Sequence, residues 1–141
     1  MLIRPARRED SDALFGLLAQ LATSYSPERP AFDETIEAVF GRAADDTLLY
    51  VVEDDEHVVR GYALCTVTRL FYTNGPSAQL HELVVDTESR GRDYGTHLVR
   101  AIEQECERRG VRQLTVASRR AGGFYDRLGY SSTAEFLKRT F

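Results

Sequence analysis

The stretch Arg90-Gly91-Arg92-Asp93-Tyr94-Gly95-Thr96 is entered from the apolar run Leu83-Val84-Val85 and leads into an amphipathic segment that reaches Arg109. That order reads as strand, tight basic turn, helix. Leu98, Val99, Ile102 and Cys106 fall at helical spacing on one face, and Gly110 fits the position just past a helix end. A helix start carries unpaired N–H groups and a partial positive charge, so it is a natural seat for an anion. Gly91 and Gly95 let an anion approach the backbone, and Arg90 and Arg92 supply charge. The turn is expected to hold a phosphate group.

Two phosphate loops of other kinds are excluded. No Gly-Lys-Ser/Thr follows the glycines, so nucleoside triphosphate chemistry is not expected. The turn does not open a βαβ unit with an acidic residue about 20 positions on, so it is not a dinucleotide fingerprint. Taken alone, a basic glycine-containing helix start is equally a capped, solvated helix entry.

Outward from the turn, Val111 to Ala117 reads as a strand, Ala121 to Leu128 as a short helix ended by Gly129, and Tyr130 to Arg139 as a last strand. On the N-terminal side, Leu2-Ile3-Arg4 is a short strand stopped by Pro5, as at a sheet edge. Ala13, Leu14, Leu17, Leu18, Leu21 and Ala22 make residues 11–23 helical, capped by Asp10 or Ser11. Residues 24–30, with two serines and two prolines, form a loop. Phe32, Ile36, Val39 and Phe40 mark a second helix, capped near Asp33 and closed by Gly41. Leu48 to Val52 is a buried strand, Asp54-Asp55-Glu56 an acidic turn, and Val58 to Phe71 a strand with Gly61 as its bulge. After a turn at Thr73-Asn74-Gly75-Pro76, Leu80 to Val85 completes an antiparallel meander. Consecutive strands followed by alternation with helices predict a mixed α/β (α+β) fold, a mixed sheet covered by helices.

At 141 residues, one domain spanning 1–141 is expected. The chain carries 18 Lys and Arg against 22 Asp and Glu, a net charge of −4, which speaks against a nucleic-acid partner. Cys65 and Cys106 show neither a disulfide framework nor metal-ligand spacing, so no metal is expected and the compartment is a reducing one. No apolar run approaches the ~18 residues of a membrane span, and Met-Leu-Ile-Arg-Pro is not an apolar signal region. A cytoplasmic protein without a membrane partner is expected.

A second cluster gives the turn its meaning: Ser118-Arg119-Arg120-Ala121-Gly122-Gly123-Phe124-Tyr125-Asp126-Arg127-Leu128-Gly129-Tyr130. By itself it is ordinary, with Phe124, Leu128 and Tyr130 as core and Gly129 as a helix stop. Paired with the turn, it resembles the GNAT superfamily of N-acetyltransferases. The phosphate loop of that family usually reads Arg/Gln-x-x-Gly-x-Gly/Ala, here Arg90-x-x-Asp93-x-Gly95. Its later signature usually reads Asn-x-x-Ala-x-x-Phe/Leu-Tyr-x-x-x-Gly-Phe/Tyr, here Ser118-x-x-Ala121-x-x-Phe124-Tyr125-x-x-x-Gly129-Tyr130. The order of elements agrees over nearly the whole chain.

The resemblance implies a mostly antiparallel central sheet with helices on both faces, and an acetyl-CoA-dependent N-acetyltransferase. Acetyl-CoA would set its pyrophosphate on the backbone N–H groups of Gly91, Arg92, Asp93, Tyr94, Gly95 and Thr96, beside Arg90. Its pantetheine arm would pair with the backbone of Leu83, Val84 and Val85, where one N–H would polarise the thioester carbonyl. Ser118 stands where the family usually has an asparagine that contacts the cofactor arm, and Tyr125 where a tyrosine commonly protonates the departing thiolate. Tyr125 is otherwise a packed tyrosine with its hydroxyl satisfied. Two departures stand out. Asp93 replaces a glycine beside a pyrophosphate, so it either repels the anion or turns away to cap local N–H groups. Ser118 is shorter than asparagine and would reach through water.

An acceptor amine near pKa 10.4 is neutral in only about one part in a few thousand at pH 7, so the reaction needs a base. Glu82 is the candidate. Alternation places it on one strand face with Leu80 and Val84, where a charge is unexpected, and members of the resembled family often carry a carboxylate there. The other reading is a solvated edge glutamate. His81 is read as a structural histidine on the opposite face, and His57 and His97 belong to no constellation. Arg119 and Arg120 either face solvent or meet a cofactor 3′-phosphate. No histidine is near Cys65 or Cys106 in sequence, so direct transfer is expected over an acyl-enzyme. The acceptor is a small-molecule or peptide amine. Its walls would come from Ser24 to Phe32 and from the Leu70–Gln79 turn, with Tyr25, Phe32, Phe71 and Tyr72 either lining it or in the core. The resemblance also implies a homodimer. The rival function is a non-catalytic acyl-CoA-binding regulatory domain, with Asp93 and Ser118 as signs of decay.

Overall fold

Two long strands carry the sheet because their residues are β-branched, aromatic or small and joined by a tight turn. In the computed structural model, which describes residues 1–21, 25–41, 44–118 and 123–141, these are β3 (Val59–Leu70) and β4 (Gly75–Val85). Ahead of them come β1 (Leu2–Pro5), α1 (Ser11–Leu18), α2 (Arg29–Phe40) and β2 (Thr47–Glu53); behind them come α3 (Tyr94–Arg108), β5 (Gln113–Val116) and α4 (Phe124–Arg127). Strands lie in the order β1-β2-β3-β4-β5. All neighbours are antiparallel except β4 and β5, which run parallel. The chain is a mixed α+β fold with a mostly antiparallel sheet and helices on both faces. Among the described residues no helix is long and apolar enough to cross a membrane.

Two cores follow from the two faces. On one, Leu14 and Leu17 of α1 and Ile36 of α2 meet Val51, Tyr62 and Val84. On the other, Leu98, Val99, Ile102 and Cys106 of α3 meet Leu48, Val52, Ala63, Cys65, Ala78 and Leu80. The end of α3 is closed by paired bonds from Gly110 N to Glu107 O and from Val111 N to Cys106 O, which satisfies two orphan carbonyls. Gly61 is required by close approach: a Cβ there would lie 2.7 Å from the Val84 carbonyl oxygen and 3.1 Å from Val52 Cγ1.

A charged cluster ties the first strand down. Arg4 donates to both carboxylate oxygens of Asp10, at 2.8 and 2.9 Å, and also to Glu53. Burial alone would raise the Asp10 carboxyl, but the Arg4 guanidinium and the Arg7 backbone N–H outweigh it and hold the group below its ordinary value. In the β2–β3 turn, Asp54 accepts from Arg60 and from the N–H groups of Val58 and Glu56, and is pulled down to about 2. Glu105 on α3, gripped by Arg108 and Arg109, is also pulled down to about 2.

Several boundaries differ from expectation, each for a physical reason. The second helix starts at Arg29 rather than near Asp33, because Pro30 sits in its first turn, where its missing N–H costs nothing. The bulge against β2 falls at Arg60 rather than Gly61, since Val52 pairs with Gly61 and Glu53 with Val59. No last strand forms over 130–139. Phe136 and Leu137 are 71% and 84% exposed; as sequence neighbours they would point to opposite faces of a strand, and the residues before them offer no apolar alternation. The first helix ends at Leu18 rather than at residue 23, because the N–H groups of Gln20 and Leu21 bond to the carbonyls of Leu17 and Leu18, three residues back, in a tightened turn; residues 22–23, and residues 121–122 at the expected start of the last helix, lie outside the described residues.

Gly61→Ala is expected to cost about 1–3 kcal/mol in urea unfolding, because a backbone carbonyl must yield to the new methyl; a cost near zero would mean that β4 moves aside freely. Asp10, Asp54 and Glu105 all have depressed folded-state values. Their stabilisation is therefore complete above the unfolded values of about 4 and is lost as pH falls toward about 2. The urea midpoint should fall steadily below about pH 5, and a midpoint unchanged between pH 5 and pH 3 would contradict the assignment.

Candidate active site

The end of β4 is where the sheet opens. β5 pairs with β4 only from Ser77↔Gln113 to Leu80↔Val116. Beyond that rung, Leu83, Val84 and Val85 keep their β3 partners Ala63, Tyr62 and Gly61 but have none in β5. Among the described residues nothing pairs with that edge of the backbone, which can take an extended group. Ser118 lies exposed just past the end of β5, on the diverging side.

The turn after β4 runs through a 3₁₀ segment (Thr87–Ser89) into α3. Arg90, Gly91, Arg92 and Asp93 are exposed, whereas the Tyr94 side chain is buried in the α3-side core. Gly91 has φ +84° and Asp93 φ +61°, so the backbone reverses twice before the helix begins. Gly91 adopts its conformation without strain; Asp93, with a Cβ, does not. The Asp93 side chain makes no capping hydrogen bond, so the capping alternative read from the sequence is not what it does. The first helical bond runs from His97 N to Asp93 O, which leaves the N–H groups of Tyr94, Gly95 and Thr96 as the orphan donors of the first turn. The donors, Gly91, Arg90 and Arg92 suit an anion such as a pyrophosphate; the Asp93 carboxylate opposes one.

Three separate stretches converge at Gly95. A Cβ placed there would lie 3.5 Å from the Phe124 ring and 3.7 Å from Val85 Cγ2. The start of α3, the free end of β4 and α4 thus form one corner. α4 carries Tyr125 there, half-buried and edge-on to Phe124 and Tyr130 with ring centroids 4.9 and 5.7 Å away. Arg119, Arg120 and Ala121, which belong to the second sequence cluster, lie outside the described residues.

Glu82 points to the opposite face from Leu80. The pairing Cys65↔Leu80 is followed by Leu64↔Glu82, so His81 is an extra residue, a β-bulge. Leu80 faces α3, whereas Glu82 and Val84 face α1 and α2. The alternation read from the sequence, with Leu80 and Val84 on one face, fails at this residue. His81 itself is exposed and shares a 2.7 Å hydrogen bond with the Thr66 hydroxyl.

Around Glu82 a cavity of about 350 Å³ opens between α1, α2 and the sheet. Leu14, Leu18, Phe32, Ile36, Leu49 and Leu64 form much of its wall, and exposed Tyr25 and Glu28 stand at its rim. Tyr62, buried at the cavity floor, donates its phenol to Glu82 Oε1 at 2.7 Å. Burial and the Glu82 charge push the Tyr62 phenol far up, so it stays protonated and donating. Nothing in the sequence marks Tyr62 as a site residue, because its role depends on the β3–β4 register. Tyr25 and Phe32 line the cavity, but Phe71 and Tyr72 do not. Those two sit in the β3–β4 turn, at the far end of β4 from Arg90, and Phe71 is fully exposed.

Both cysteines are buried. Cys65 is pushed up by its hydrogen bond with Cys106 and by burial, the opposite of what a nucleophilic thiolate needs.

This architecture has close parallels. A transcriptional regulator from Bacillus halodurans superposes with a TM-score of 0.87 at 21% identity, over 99% of each chain. Glucosamine-6-phosphate N-acetyltransferase from Arabidopsis thaliana gives 0.84 at 23% identity, over 99% of this chain and 97% of that one. An aminoglycoside antibiotic 6′-N-acetyltransferase from Acinetobacter haemolyticus gives 0.82 at 15% identity, over 100% and 98%. At such identities the likeness is one of fold. In sequence, the model of the acetyltransferase (GNAT) domain matches residues 45–132, a span that holds the strand, the basic turn, the helix and the Phe124-Tyr125 cluster, and the chain belongs to the GNAT acetyltransferase family.

Proposed function

We propose that the chain transfers the acetyl group of acetyl-CoA directly to a primary amine, with Glu82 as general base and Tyr125 as general acid. Acetyl transfer in general comes with the family; the amine, the donor and the residue roles are this reading's own. The observation that carries it is the position of Glu82. A carboxylate sits on the floor of a largely apolar cavity, held by the Tyr62 phenol at 2.7 Å. It lies two residues from the last β4–β5 rung, where the strand edge becomes free.

The bound thioester would supply an activated acyl carbon and a thiolate leaving group. The chain's own residues would do the rest. The orphan N–H groups of Tyr94, Gly95 and Thr96, with Arg90 and Arg92, would hold the phosphates. The unpaired backbone of Leu83 to Val85 would align the extended arm, and one of its N–H groups would stabilise the developing oxyanion. Glu82 would take a proton from the acceptor ammonium and so free the nitrogen lone pair for attack on the acyl carbon; the second proton, lost as the amide forms, would pass to solvent. Tyr125 would give a proton to the sulfur as the carbon–sulfur bond breaks and recover one from solvent. Both cysteines are buried in the α3-side core, on the other face of the sheet from the Glu82 cavity, which favours direct attack over an acyl-enzyme. A second reading, a non-catalytic acyl-CoA-binding regulatory domain, draws on Asp93 and Ser118; it predicts binding of acetyl-CoA without thiol release on any amine.

Glu82→Gln is expected to lower kcat/KM by about 10²–10⁴-fold near pH 7. The deficit should shrink as pH rises toward the amine's own pKa, where the acceptor needs no base. A parent-to-variant ratio that does not change with pH would remove Glu82 from the proton transfer. Tyr125→Phe should slow thiol release with little change in acceptor KM. Asp93→Gly removes a carboxylate beside the anion seat and should tighten acetyl-CoA binding about two- to fivefold by calorimetry; equal affinities would mean that the carboxylate does not feel the phosphates.

A further inference from the structure

Resting on that reading, we infer that the acceptor is a monoamine with an apolar, aromatic or branched aliphatic body, and not a sugar phosphate, a polyamine or a polar peptide. The inference comes from the lining of the Glu82 cavity. Its wall is built from Leu14, Leu18, Phe32, Ile36, Leu49 and Leu64, with the carboxylate of Glu82 at one end. A cavity of about 350 Å³ lies at the small end of the range for small-molecule sites. It holds one compact ligand.

The charge pattern narrows the class further. Two ionisable carboxylates touch the cavity, Glu82 on the floor and Glu28 at the rim, and no Lys, Arg or His lines it among the described residues. Arg29, next to the rim, is held by Asp12 and Asp33 at 2.7 and 2.8 Å and lies over the rings of Phe15 and Phe32. Lys138 stands at the exposed rim, its Nζ 5.9 Å from the Tyr25 ring centroid, and is not part of the lining; a phosphate or carboxylate carried into the body of the cavity would bury its charge without a partner, which is strongly unfavourable. A polyamine such as spermidine could set a terminal ammonium on Glu28 at the exposed rim, but its inner ammonium would lie against leucines. A single ammonium meets Glu82, and its body meets apolar wall.

Phe32 fixes the shape of that wall. Its ring packs edge-on to Phe15 at 5.3 Å between centroids, with the Arg29 guanidinium 5.7 Å from its own. The ring also lines the cavity, where it offers an apolar surface to a flat ring. Specificity then comes from the body of the amine, and reactivity from its one nitrogen.

The test is thiol release from acetyl-CoA with 2-phenylethylamine and 3-methylbutylamine set against spermidine, glucosamine 6-phosphate and a lysine-containing polar peptide. Calorimetric binding of 2-phenylethylamine to the parent and to Glu82→Gln, without acetyl-CoA, runs alongside. The apolar amines should show kcat/KM about ten- to a hundredfold above the polar ones. Phe32→Ala should raise the KM for 2-phenylethylamine about tenfold and leave that for spermidine unchanged. Binding of 2-phenylethylamine should be measurable in the parent and weaker in Glu82→Gln. Thiol release that is equal or faster with a polar acceptor overturns the acceptor class and leaves the transfer reading standing. No release with any amine, while acetyl-CoA itself binds, overturns the transfer reading. In that case, 2-phenylethylamine binding that weakens in Glu82→Gln still supports the ligand class, and no such binding overturns it as well.

Discussion

Side chains on a strand alternate, so one unpaired residue exchanges the faces of everything that follows it. In β4 that residue is His81. Before it, Ala78 and Leu80 feed the core beneath α3; after it, Glu82 and Val84 turn toward α1 and α2. Without the bulge Glu82 would be driven into the α3 core, where a carboxylate has no partner. With it, Glu82 reaches a cavity and the Tyr62 phenol. The same irregularity falls where β5 leaves β4, since the last shared rung is Leu80↔Val116. A change of face and a loss of pairing at one point give the site both its carboxylate and its free strand edge.

The anion turn depends on the same junction from the other side. Tyr94, buried beneath the sheet, anchors the first turn of α3, so its N–H groups are fixed while Arg90 to Asp93 stay at the surface. Preorganised donors bind an anion without the cost of ordering them. Asp93 is the one dissonant residue: it holds a left-handed backbone angle that glycine would hold more easily, and its carboxylate caps nothing. Such a backbone angle persists where the surrounding structure overrides its cost.

The strand, the turn, the long helix and its glycine stop were readable because each rests on local chemistry: apolar periodicity, glycine where the chain reverses, cation charge beside a helix start. The antiparallel meander was readable for the same reason. The last strand was misread. Residues 130–139 carry β-forming types, but propensity without an apolar alternation gives a strand nothing to bury. The start of the second helix was misplaced because Pro30, taken as a breaker, is favourable in a first helical turn.

The sequence alone made candidates of Tyr125, Ser118 and the 90–96 turn through motif spacing, which is a property of the chain, and of Glu82 through an alternation that the bulge at His81 breaks. It also fixed the family through those spacings. Which way Glu82 points, that Tyr62 holds it, that Phe71 and Tyr72 stand away from the Glu82 cavity, and that its wall is largely apolar were decided only by tertiary structure. The reason is register. A one-residue shift between β3 and β4 leaves composition, periodicity and propensity almost unchanged, yet it selects which side chains share a face. That choice is made by the packing of α1, α2 and α3 against the finished sheet, which no local pattern encodes.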